Sequence, residues 1–89
     1  MNTPTILIVD DEEVNVRLIK GMLASENYNL ISAFSGPEAL SMLASNHPDL
    51  IMLDVMMPEM DGFETCRKIK QDKNTKIIPV LMVTALIEK

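Results

Sequence analysis

Aromatic side chains are nearly absent from this chain, at 3% of residues with no tryptophan. A core must therefore be aliphatic and rich in methionine, and no platform exists for stacking bases or sugars. Cysteine occurs once, at Cys66. That excludes an internal disulfide and a Cys-based zinc cage, and it fits a reducing compartment. No stretch approaches the roughly 18 apolar residues that span a bilayer, and Met1 to Thr5 lacks the basic segment that opens a secretory leader. The expectation is a cytoplasmic protein with no membrane partner. Positive charge is also in deficit, with a net charge of −5. Direct binding to nucleic acid needs a basic footprint, so metal ions and basic partners are favoured instead.

What is present is a regular alternation of two patterns within a length, 89 residues, that suits one small domain. Thr5 to Val9 (TILIV) is a continuous apolar run of strand length that stops at Asp10-Asp11. Over Glu12 to Ser25, Val14, Leu18 and Met22 recur at helical spacing with Ile19 and Leu23 beside them, which predicts a helix with an acidic start. Asn29 to Ala33 is a second, weaker strand. Ser35-Gly36-Pro37-Glu38 opens a second helix with Ala39, Leu40 and Leu43 on its inner face, and His47-Pro48-Asp49 ends it.

Leu50 to Leu53 forms the third strand, followed by a loop from Asp54 to Asp61. Gly62 to Gln71 predicts a third helix whose apolar side carries Phe63, Cys66 and Ile69. A polar connector, Asp72 to Lys76, leads to a fourth strand over Ile77 to Val83, interrupted by Pro79 and closing on Thr84-Ala85. The order βαβαβαβ, with strands lacking polar alternation, predicts an α/β fold with a parallel sheet covered on both faces.

In such sheets ligands sit beyond the carboxyl ends of the strands, where the strand order reverses. Asp10 and Asp11 follow the first strand, Asp54 the third and Thr84 the fourth. If the first and third strands are neighbours, three carboxylates converge and repel one another unless a cation joins them. Hard oxygen ligands without His or Cys point to Mg²⁺. Taken singly, the Asp-Asp-Glu-Glu run is an ordinary helix cap, Asp54 a turn former and Thr84 a β-prone residue. Their joint placement at three strand ends favours a site.

The stretches ILIVDDEE, FSGPEAL, PDLIMLDVMMPEMDGFE and IIPVLMVTA resemble the receiver domain of bacterial two-component response regulators over the whole chain. The resemblance implies a flavodoxin-like, doubly wound parallel sheet, here in the order 2-1-3-4. It implies that Asp54 accepts a phosphoryl group from a sensor histidine kinase. Asp10, Asp11, Asp54 and the Met56 backbone carbonyl would hold Mg²⁺, Thr84 would supply a switch hydroxyl, and Ala85 would leave the phosphoryl pocket open. Such a protein is a phosphoacceptor regulator rather than an enzyme with a separate substrate.

A complete receiver resembling this one would continue with a fourth helix, a fifth strand ending in a lysine, and a fifth helix. Residues 1–89 are therefore expected to form a single incomplete receiver domain, and Lys89 lies too near Thr84 to be that lysine. The apolar run Val80 to Thr84 would form a bare edge. This leaves a second reading, a non-phosphorylated interaction module or a homo-oligomer joined through the fourth strand. A third, an aspartate-based phosphatase, needs an acid two residues after the nucleophile, where this chain has Met56.

Overall fold

The computed structural model describes residues 3–83. Thr84 and Ala85 therefore lie outside the described residues. The elements run β1 (Thr5–Val9), α1 (Glu13–Leu23), a 3-10 turn (Ala24–Glu26), β2 (Asn29–Ala33), α2 (Gly36–Met42), β3 (Leu50–Asp54), α3 (Gly62–Gln71) and β4 (Val80–Val83). All strand pairs are parallel and the order is β2-β1-β3-β4. The strand reversal thus falls between β1 and β3, as the doubly wound reading requires.

Strand residues alternate between two apolar layers, which is why no polar alternation shows in their sequences. Leu7, Val9, Ile51 and Leu53 join Ala39 of α2, Leu43 just beyond that helix and Ile69 of α3 in one cluster. Ile6 and Ile8 point the other way and meet Val16 and Ile19 of α1. Side chains such as Leu7, Ile8, Ile51 and Leu53 are fully enclosed, each stabilising the fold by about 1.5–3 kcal/mol relative to exposure.

Helix α1 corrects the sequence reading. Its buried positions are Val16 and Ile19, whereas Val14, Leu18 and Met22 are 63%, 43% and 64% exposed. Two apolar stripes compete on this helix, and the sheet buries the one carrying Val16 and Ile19, with Leu23 packed against them. Ile19→Ala is accordingly expected to cost about 2–4 kcal/mol in chemical denaturation, against under about 0.5 kcal/mol for Met22→Gln.

The other helices start where side-chain caps predict. Ser35 Oγ accepts from the Glu38 N–H at 3.1 Å, while the Glu38 carboxylate accepts from the Phe34 N–H at 2.9 Å. At α3 the Asp61 carboxylate accepts from the Glu64 N–H at 2.9 Å. Helix α2 ends at Met42, earlier than the proline at 48 suggests, and turns bridge the gap. Phe63 is a second correction: it is 59% exposed, and Thr65 and Gly62 take the buried positions beside Ile69.

Strand β4 is also shorter than expected, starting at Val80. Ile77 is 80% exposed in the preceding turn. The Lys70 ammonium holds that turn by donating to the Lys76 and Ile78 carbonyls at 2.9 and 2.6 Å. Proline at 79 has no N–H, but its carbonyl accepts from Ile51 at 3.0 Å, so it adjoins the ladder without breaking it.

Candidate functional site: an acidic crevice at the strand reversal

β1 and β3 run side by side, with Val9 level with Leu53. Their next residues, Asp10 and Asp54, therefore emerge together at the carboxyl edge. Asp54 is the last residue of β3, level with Val83 of β4, rather than the first residue of the loop. The Asp10 N–H is held by the Ala33 carbonyl of β2 at 3.1 Å. Three strands thus fix the position of two carboxylates.

Asp10 and Asp54 are 5% and 7% exposed. With the more open Asp11, each offers a carboxylate oxygen within 4.8 Å of those of the other two. Burial pushes the Asp10 carboxyl above its ordinary value, with hydrogen bonding to Glu12 and Asn15 opposing the shift and the charges of Asp11 and Glu12 adding to it. Asp54 is raised as well, by burial first and by the charge of Asp10 second. Two backbone donors partly compensate: the Glu12 N–H reaches Asp10 Oδ1 at 2.9 Å, and the Met56 N–H reaches Asp54 Oδ1 at 3.4 Å. Negative charge remains in excess of the donors that face it.

Such a cluster fits a hard divalent cation, because it offers carboxylate oxygens with neither sulfur nor imidazole among them. The return from the crevice depends on close backbone packing. Gly62 donates its N–H to the Val55 carbonyl at 3.0 Å, and a Cβ there would collide with the Asp54 carbonyl oxygen and lie 2.9 Å from Val55 Cα. Met57 is buried in the core, whereas Met56 projects into solvent, 70% exposed.

Residues 6–89 match the family described as the response regulator receiver domain. The chain belongs to the receiver domain family. This receiver domain is 56% identical over 81 residues to the response regulator PleD of Caulobacter vibrioides, covering 91% of this chain and 18% of that protein. It is 38% identical to the polar-differentiation response regulator DivK of Brucella ovis, covering 98% of this chain and 71% of the relative. Among solved structures, the N-terminal domain of a response regulator receiver protein from Methanoculleus marisnigri superposes with a TM-score of 0.88 at 48% identity, over 96% of this chain and 69% of that one. TrrA of Thermotoga maritima, solved in complex with Mg²⁺-BeF, gives 0.86 at 36% identity, over 93% of this chain and 70% of that one.

With β1 and β3 as neighbours, Asp10, Asp11 and Asp54 come together, as the placement of acids at the strand ends predicts. Sequence reasoning missed Asn15, whose side chain favours the charged form of Asp10. Its place on the first turn of the helix that follows the acids is the signal that could have found it.

Proposed function

We propose that this receiver domain is a phosphorylatable signalling switch in which Asp54 accepts a phosphoryl group from a histidine kinase in a Mg²⁺-dependent reaction. The observation that carries this reading is the meeting of three carboxylates at one strand reversal, two of them buried. Receiver domains are signalling regulators of two-component systems, and a receiver 36% identical to this chain has been solved with Mg²⁺-BeF.

In this reading an Asp54 carboxylate oxygen attacks phosphorus, the bond from phosphorus to the kinase imidazole nitrogen breaks, and an acyl phosphate forms. Asp10, Asp11, Asp54 and the Met56 carbonyl would hold Mg²⁺, which when bound offsets charge on the phosphoryl oxygens. Asp54 Oδ1 already accepts from the Met56 N–H, and this contact orients the carboxylate. Thr84 and Ala85 are assigned the switch hydroxyl and the open side of the pocket. Phosphorylation then shifts an equilibrium between two conformations. A cytoplasmic location accords with this role, and no described helix is long and apolar enough to cross a membrane.

Labelling from a small acyl phosphate tests the assignment. Incorporation is expected with Mg²⁺, with loss on chelation and no label on Asp54→Asn. Label on that variant equal to the parent removes the assignment.

A second reading has its own observation: among the described residues β4 pairs with β3 alone, and Leu81 is 51% exposed. A non-phosphorylated module that self-associates through β4 would gain mass with concentration in sedimentation. A monomer at all concentrations removes it.

A further inference from the structure

At the end of the sheet opposite the acids, the chain reverses its charge. Five of its eight basic residues, Arg67, Lys68, Lys70, Lys73 and Lys76, fall between Thr65 and Ile78 with Asp72 as the single acid, a local net of +4 on a chain of net −5. This segment is the last half of α3 and the connector to β4. Beside it lies a groove of about 630 Å³ between the ends of α2 and α3.

The groove has an aliphatic side, made by Leu40, Leu43 and Ala44, and a polar side that includes His47, Lys68 and Asn74. Its volume falls in the range of roughly 300–1,000 Å³ usual for ligand clefts. The remaining polar lining groups are Thr75 and Asp72, and the Asp72 charge opposes that of Lys68 in the groove but is outweighed by the cations of the flanking segment. Thr75 Oγ1 donates to the Ile69 carbonyl at 2.7 Å, and the Asp72 carboxylate accepts from the Asn74 N–H at 2.8 Å. Lys70 is engaged as well, by two connector carbonyls. Lys68 is exposed and enters no ion pair among the described residues, where the one salt bridge joins Arg17 to Glu13.

We propose that this groove is a docking site for an acidic peptide segment of a partner protein, with an aliphatic side chain seated against Leu40, Leu43 and Ala44 and carboxylates facing Lys68 and its neighbouring cations. Charge complementarity selects the acidic partner. The aliphatic floor selects a leucine-like anchor over a nucleobase, since none of the chain's three aromatic residues, Tyr28, Phe34 and Phe63, lines the groove. The site shares no residue with the carboxylate crevice, so its peptide binding can be measured on the unphosphorylated chain, apart from any phosphorylation of Asp54.

The test titrates the peptide Glu-Glu-Leu-Glu-Glu-Leu-Glu-Glu into the nitrogen-15-labelled chain. Saturable shifts are expected at residues 40–47 and 68–75, weakening as salt rises. Lys68→Glu places a like charge at the rim and Ala44→Glu fills the floor. Each is expected to weaken binding by about five- to tenfold while amide spectra elsewhere and thermal unfolding stay like the parent. The proposal is overturned if serine in place of both leucines binds equally well, if both variants bind like the parent, or if shifts map elsewhere. It is also overturned, in favour of a nucleic-acid site, if a single-stranded oligonucleotide of the same charge binds more tightly at the same residues.

Discussion

Asp10→Asn is expected to make the metal-free chain more stable at neutral pH and, at the same time, to remove most of the stabilisation that Mg²⁺ gives the parent. Carboxylate oxygens of Asp10, Asp11 and Asp54 lie within 4.8 Å of one another. Unit charges at that separation repel by on the order of 1–3 kcal/mol in the partly screened environment of a crevice. Asparagine keeps the acceptor that meets the Glu12 N–H and drops the charge. Mg²⁺ at about one hundred times its dissociation constant should stabilise the parent by about 2.7 kcal/mol, a shift of roughly 10–20 °C for a domain of this size. The variant should show only a small fraction of that shift.

The pH dependence has a definite sign. Asp10 and Asp54 titrate above their ordinary value in the folded chain, so the folded state binds protons more readily than the unfolded one. Their contribution to metal-free stability is greatest below 3.8 and is lost as pH rises through the raised values. Thermal unfolding with chelator should therefore show this contribution falling across that window, and the fall should be smaller in Asp10→Asn. An identical profile for parent and variant would remove Asp10 as its source.

The second large effect is expected at Gly62, where alanine should cost about 3–5 kcal/mol and bring a marginal small domain close to unfolding. The obstacle is backbone, which cannot swing aside as a side chain can: the Asp54 carbonyl and Val55 Cα occupy the space a Cβ needs. Gly21→Ala is the internal control. A Cβ at Gly21 meets nothing within 4 Å, and alanine in an exposed helix should stabilise by about 0.5–1 kcal/mol. Urea midpoints for the two variants should move in opposite directions. Where Gly62→Ala retains a fold, the forced shift of the Asp54 backbone should also lower Mg²⁺ affinity, an effect absent from Gly21→Ala.

The sheet was legible because runs such as TILIV and LIML report burial on both faces, and alternation with helices leaves parallel pairing as the natural solution. The acids were legible for a related reason: residues that follow parallel strands must share one edge. Helix faces were less so. Val14, Leu18 and Met22 have the same spacing as a buried stripe, and only tertiary packing decides that Val16 and Ile19 turn inward. Phe63 misled similarly, because hydrophobicity alone does not reveal that the small Gly62 and Thr65 are needed where α3 approaches the loop after β3 and the start of α2. At Gly36 a Cβ would meet Thr65 Oγ1 and lie 2.8 Å from Met60 Sδ, a constraint that only the folded arrangement exposes.

The carboxylate cluster at one edge of the sheet and the cationic connector at the other separate these opposite charges along the strands. A small domain of this kind experiences a torque in the field of any charged partner. A basic surface should turn the crevice toward itself before contact, while an acidic surface should turn the α2–α3 groove forward. Under the two proposals above, a partner with a basic surface and one with an acidic segment should meet opposite ends of the molecule.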